Sequence, residues 1–305
     1  MAMRVIFWLA LPVVAYCFFA AFKYTPMISR IFMGLVYKSS ELSNVSTRGE
    51  KISILDSSGH EIEALLVEKK NPRCTVIFCH ESGATKESWE KYAFFLPEAD
   101  CRVLSIDFDE KTKDGQANAL MQWPQRVDVE RLLTVIRWVK KTQSVCPILL
   151  FGVSKGANIA LAASLKTDVV SAVVTDGLFS MKEIFRDYIR KWAPILVKPN
   201  LFGNHTPEWV VNIFAQLGFW YCQRRSGKKF IDVEKLLRKK HVPLFMIHGE
   251  EDDYVSERHQ KFLARLDASR AAQDHWVVPK AKHNEAVTLK GDLYEKQVLN
   301  FISKN

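Results

Sequence analysis

Residues Pro147 to Leu165 leave few options for the fold. The apolar run Pro147-Ile-Leu-Leu-Phe151 reads as a buried strand, and the small-residue run Ala157 to Leu165 reads as a helix. Between them stands Gly152-Val-Ser154-Lys-Gly156. A strand that becomes a helix over so short a turn leaves space only for glycine at the two flanking positions. Such a turn lifts the Ser154 hydroxyl to the carboxyl end of the strand and the amino end of the helix. Backbone N–H groups there can stabilise a developing oxyanion. Gly-x-Ser-x-Gly in a strand–turn–helix setting points to a nucleophilic serine, whereas the five residues alone describe only a Gly-Ser turn.

A serine hydroxyl attacks carbonyl carbon only when a base takes its proton, and that base is usually an imidazole oriented by a carboxylate. The downstream sequence supplies both. Val242 to Gly249 is a buried-strand pattern that runs into Glu250-Glu-Asp252-Asp253-Tyr-Val255. A second apolar strand, His275 to Val278, is followed by Pro279-Lys-Ala-Lys-His283-Asn284. Ser154, Asp252 and His283 each lie just past a predicted strand, and in a parallel sheet those strand ends line one edge. Asp253 and Asp176, the latter at the end of the strand Val169–Asp176, are rival positions for the acid.

With these residues in view, the chain from about Ile52 onward resembles the α/β-hydrolases. The resemblance rests on Gly152-Val-Ser154-Lys-Gly156, on His248-Gly249-x-x-Asp252-x-x-Val255 and on Ala281-Lys-His283-Asn284. It also rests on Val76-Ile-Phe-Cys-His80-Glu81-Ser82-Gly83, which is similar to the family's strand followed by His-Gly-x-x-Gly. Glu81 replaces the usual Gly, and Glu does not enter positive φ cheaply. The family spacing favours Asp252 as the acid. The resemblance implies a mostly parallel sheet flanked by helices, with the N–H groups of Ser82 and Lys155 as oxyanion donors. It implies no metal and no organic cofactor, and leans toward membrane-associated acyl-ester hydrolases or the serine-aminopeptidase-like branch. His80, His248 and Asn284 read as supporting residues, and the Lys155 side chain as a lysine on a helix surface.

The remaining strands and helices agree with this architecture. Ile52–Leu55 and Glu61–Glu68 read as a hairpin. Thr75–His80 and Arg102–Asp107 read as interior strands. Helices are predicted at Trp89–Phe95 and Val127–Lys141. The charged stretch Phe108 to Gly115 reads as a solvated loop. Strands alternating with helices imply a parallel sheet covered on both faces.

Two segments fall outside this core. Val5 to Phe22 is almost wholly apolar over 18 residues, between Arg4 and Lys23. This length suffices for a marginal membrane span. A single-pass uncleaved anchor and a cleaved signal peptide both fit; bulky Phe18, Phe19 and Phe22 favour the anchor. The expected organisation is an anchor over 1–23, a juxtamembrane helix and linker over 24–50, and a catalytic domain over 51–305. Residues 178–240 form an insertion in that domain, at the place of a helical cap in the family. It holds 13 Lys or Arg against 5 Asp or Glu, so nearly all of the chain's net charge of +9 sits there. One reading is a solvated helical excursion. The other is a cap whose apolar inner face takes an acyl chain, while Arg224, Arg225, Lys228, Lys229, Arg238, Lys239 and Lys240 meet anionic lipid. Its aromatics are spaced like apolar helix faces, which argues against a nucleic-acid surface.

The expected activity is therefore hydrolysis of a carboxylic ester or thioester of an acyl or lipid-like substrate. A peptidase or amidase of the same fold is the alternative, as is a catalytically silent membrane-tethered scaffold. Six cysteines (Cys17, Cys74, Cys79, Cys101, Cys146 and Cys222) show no CxxC spacing and read as free thiols.

Overall fold

The structure is a computed structural model of the chain. It describes residues 2–34, 48–56, 59–108, 122–142, 146–198, 200–239, 242–267 and 275–305, with the side chains of 2–14, 17, 34, 200 and 202 excluded. In chain order the elements begin with α1 (Ala2–Gly34), β1 (Glu50–Leu55), β2 (Glu61–Val67), β3 (Cys74–Cys79), α2 (Trp89–Tyr92) and β4 (Cys101–Ile106). They continue with α3 (Arg126–Thr142), β5 (Ile148–Val153), α4 (Lys155–Ser164) and β6 (Val170–Asp176). Next come α5 (Met181–Leu196), α6 (Asn200–Asn204), α7 (Glu208–Ser226), α8 (Val233–Leu237) and β7 (Leu244–Gly249). The chain closes with α9 (Glu257–Leu266), β8 (His275–Val278), α10 (Ala286–Leu289) and α11 (Gly291–Lys304). Two compact units emerge: residues 36–180 with 229–305, and residues 1–35 with 181–228.

The larger unit is built on one sheet of eight strands in the order β1-β2-β4-β3-β5-β6-β7-β8. β1 pairs antiparallel with β2, as the predicted hairpin requires, and β2 is antiparallel to β4. The other strand pairs are parallel. Side chains of one strand alternate between faces, and the buried residues divide accordingly. Ile77, Leu104, Ile106, Leu150, Val173 and Met246 face α3, α4 and α9. Val76, Phe78, Val103, Phe151, Val174 and Ile247 face α2 and α11. Strands buried on both faces need apolar residues at successive positions, which is why these segments read as unbroken apolar runs.

The turn after β5 is the tightest place in this unit. A Cβ on Gly156 would stand 2.0 Å from the Cys79 carbonyl oxygen, and one on Gly152 would stand 2.4 Å from that of Gly156. α4 thus lies directly against the end of β3. The predicted helix from Trp89 shrinks to the single turn α2, preceded by a 3-10 turn over Lys86–Ser88. The predicted loop from Phe108 lies outside the described residues beyond Phe108 itself.

The smaller unit is helical. Phe32 of α1 stacks on Phe185 of α5 with centroids 3.9 Å apart and meets Tyr188 edge-on at 6.5 Å. Gly218 of α7 leaves the space that the Phe185 ring occupies. The Tyr24 hydroxyl donates to the Leu196 carbonyl at 3.3 Å. Arg190 joins Glu183 and Asp187 on α5 to Glu208 on α7.

α1 covers the segment expected to be an anchor. Among the described residues, no helix is long and apolar enough to cross a membrane, so the span expected over Val5 to Phe22 finds no support there. α1 runs on past Lys23 to Gly34 without a break. Its later part is held by protein packing, with Tyr24, Ser29 and Phe32 all buried.

Gly156→Ala should force β3 and α4 apart. The expected loss is about 3 kcal/mol, read as a fall of roughly 10 °C in the thermal midpoint. A midpoint unchanged from wild type would contradict the close contact.

Candidate active site

Ser154 sits between β5 and α4 with φ 50 and ψ −111, a backbone conformation that L-residues rarely adopt. Such strain costs of the order of 1–3 kcal/mol and persists only where its surroundings impose it. The Ser154 N–H donates to the Asp176 carbonyl at 2.7 Å, which ties the turn to the next strand. The hydroxyl lies 2.9 Å from Nε2 of His283. Nδ1 of the same ring lies 2.7 Å from Oδ2 of Asp252. The second carboxylate oxygen of Asp252 accepts the N–H groups of Tyr254 and Val255, both at 2.7 Å. A carboxylate so held requires a proton on Nδ1, which leaves the Nε2 lone pair for the serine hydroxyl. The three residues predicted from the sequence are therefore in register and nearly buried.

The rival acids do not reach the imidazole. Asp253 is exposed. Asp176 is buried and accepts a hydrogen bond from the Tyr294 hydroxyl at 2.9 Å. Burial pushes its carboxyl up to about 7, against the pull of Tyr294 and of His283. Gly177, just beyond, has φ 72, and a Cβ there would stand 2.8 Å from Cε1 of His283. A side chain at that position would displace the imidazole.

The loop after β3, predicted to bind the oxyanion, accommodates the departure at Glu81. Glu81 has no positive φ; the left-handed residue is Gly83, at φ 76. The Glu81 carboxylate is buried and accepts hydrogen bonds from Ser88 at 3.0 Å and Tyr92 at 3.1 Å. It anchors the loop to α2. Ser82 is buried beside it, and Lys155 opens α4, so its N–H projects from the helix's amino end.

His80 also fixes this loop. Its Nδ1 reaches the Glu81 carbonyl at 2.7 Å, and its Nε2 accepts the Phe108 N–H at 3.1 Å, which sets a neutral tautomer. His248 is likewise structural. Nε2 meets the Leu178 carbonyl at 2.8 Å, and Nδ1 meets His275 at 3.1 Å. Burial lowers it to about 4, with His275 adding to the effect, so it carries no charge near neutral pH.

Lys155 is not a surface residue. Its side chain is fully buried, with Nζ 3.7 Å from Asp128 and 5.6 Å from the centre of the Phe108 ring. Asp128 sits on α3, so the Ser154 turn is braced from a second helix.

Several residues beside the site were not singled out from the sequence. The Tyr254 ring lies 5.0 Å from the His283 ring, with Phe179 edge-on to it at 5.3 Å and Trp123 stacked at 6.3 Å. These rings form an apolar wall beside the His283 imidazole. Tyr254 could have been suspected from its place two residues after Asp252; Trp123 and Tyr294 could not. Among the described residues, no cluster of ligating side chains could hold a metal.

The raised Asp176 carboxyl makes stability depend on pH. In the unfolded chain it ionises near 3.8, and in the folded chain near 7. Between those values the unfolded state loses its proton first, so stability falls as pH rises, by at most about 4 kcal/mol in total. Asp176→Asn keeps an acceptor for Tyr294 but removes the titration. Its stability relative to wild type, from denaturant midpoints, should improve from pH 4 to pH 8; a constant difference would contradict a buried, neutral carboxyl.

No family model matches the sequence, and no curated protein matches it significantly. Solved structures do match. An esterase of Pyrococcus furiosus superposes with a TM-score of 0.61 at 20% identity, over 89% of this chain and 98% of that one. An esterase of Exiguobacterium antarcticum gives 0.52 at 17%, over 82% and 98%. A serine hydrolase involved in carbazole degradation gives 0.52 at 18%, over 84% and 99%. Sheet order, the tight turn at Ser154 and the structural neighbours agree: the chain has the α/β-hydrolase fold.

Proposed function

We propose that the protein is a serine hydrolase that cleaves a carboxylic ester or thioester of an acyl or lipid-like substrate. The observation that carries this reading is the unbroken relay from Asp252 through His283 to Ser154, at 2.7 and 2.9 Å. The neighbours' own descriptions as esterases and a serine hydrolase support it.

The chemistry follows from the relay. His283 removes the Ser154 proton as the oxygen attacks the substrate carbonyl. Asp252 stabilises the imidazolium that forms, and the N–H groups of Ser82 and Lys155 receive the oxyanion; loss of one such donor costs roughly 3–4 kcal/mol. The alcohol or thiol leaves with the proton from His283. Water, activated by the same imidazole, then releases the acid from Ser154. These steps draw on no metal and no organic cofactor.

Lipid-like substrates and a membrane surface are supported by the smaller unit. Phe18, Phe19 and Phe22 of α1 are exposed, as are Trp209 and Trp220 of α7, while Phe185 and Phe219 of the insertion are buried, as their spacing on helix faces predicts. Arg224 and Arg225 lie exposed at the end of α7. Exposed aromatics beside basic groups suit an anionic lipid interface. A cavity of about 360 Å³ in the same unit is lined by Tyr24, Ile28, Trp192, Leu196, Val210 and Phe214, among other residues.

Ser154→Ala should lower hydrolysis of a p-nitrophenyl acyl ester at least ~10³-fold and abolish labelling by a fluorophosphonate, with an unchanged melting curve. Retained turnover would overturn the assignment. The full-length protein should co-sediment with vesicles containing phosphatidylserine, and release as salt screens the basic groups. Equal recovery with neutral and anionic vesicles would remove the electrostatic part of this reading.

A further inference from the structure

Two thiols lie together at the edge of the sheet opposite the candidate active site. Cys74 opens β3 and Cys101 opens β4, and the two are register partners in a parallel pair. Neighbouring strands run about 4.8 Å apart, inside the Cα separation that a disulfide spans. Their sulfur atoms are 3.2 Å apart, with the Cys74 thiol donating to Cys101. Both are buried, yet each follows an exposed residue, Arg73 and Asp100, whose backbones are joined by a hydrogen bond of 3.0 Å. The pair therefore sits one residue beneath solvent. The Cys101 sulfur also contacts the Ala99 carbonyl at 3.6 Å. The Cys146 sulfur lies 3.3 Å from the Thr75 hydroxyl, within hydrogen-bond reach.

We propose that Cys74 and Cys101 are a reversible oxidation site, closed to a disulfide by hydrogen peroxide. Cys101 is the attacking sulfur. The hydrogen bond from Cys74 holds its thiol below the ordinary cysteine value, against desolvation, and the Arg73 guanidinium adds to the effect. Thiolate, not thiol, attacks peroxide. The Cys101 thiolate cleaves the O–O bond, giving a sulfenic acid and hydroxide, which takes up the proton that Cys101 had released. Cys74 then attacks the sulfenic sulfur, the S–S bond forms, and the hydroxyl departs as water with the Cys74 proton. In sum, two thiols and one peroxide give one disulfide and two waters. A dithiol reductant reverses the change. The bond would join β3 to β4 at their amino ends, leaving the carboxyl ends that carry the site untouched.

The test uses the whole protein and does not depend on the proposed hydrolase activity. After treatment of the folded wild type with hydrogen peroxide, two of the six thiols should be lost to a thiol reagent added in denaturant. Mass spectrometry should find a Cys74–Cys101 linked peptide that dithiothreitol removes. In Cys74→Ser, Cys101 should instead accumulate as a sulfenic acid that dimedone captures. Persistence of all six thiols at peroxide levels that oxidise a free dithiol would overturn the proposal. So would thiol loss with no Cys74–Cys101 peptide, through links to Cys146 or over-oxidation.

Discussion

Everything at the site depends on how closely α4 approaches the end of β3. Because Gly156 carries no side chain, the first turn of α4 touches the Cys79 carbonyl, and the chain must reverse from strand to helix in a single step. Ser154 absorbs that reversal in its backbone, at φ 50. The strain is held by the parallel pairing of β3, β5 and β6 on either side and by the bond from Ser154 to Asp176. A looser junction would let Ser154 relax and turn its hydroxyl away from His283.

Around that junction, polar groups are used mainly as braces. Glu81, His80, Lys155 and Asp128 are all buried, and each ties a loop or turn to a neighbouring element. Burial of such groups is costly unless they are paired, and here the partners come from α2, α3 and the segment after β4. The site is thus positioned by a polar shell, while the apolar core fixes only the sheet.

Most of the fold could be read in the sequence because parallel strands buried on both faces leave a continuous apolar signature. β3, β4, β6 and β7 were visible for that reason, to within a residue or two. The relay was visible because strand ends in such a sheet share one edge. The burial of Lys155 was not, since its partner Asp128 lies on α3 and only tertiary packing brings the two together. Nor was Tyr294 visible, on a C-terminal helix that reads as ordinary. The insertion gave no helix boundaries: α7 carries Trp209, Val210, Val211, Ile213, Phe219 and Trp220 all around its axis and offers no single apolar stripe. The pairing of Cys74 with Cys101 requires the strand order, which puts β4 before β3.

The stack of Phe32 on Phe185 has a consequence for how the chain matures on the ribosome. The two rings meet in space but are some 150 residues apart along the polypeptide, and Gly218, which makes room for the Phe185 ring, emerges later still. Since domains acquire structure as synthesis proceeds, α1 leaves the exit tunnel long before its docking surface exists. Throughout that interval Tyr24, Ser29 and Phe32 lack the packing that buries them in the folded chain.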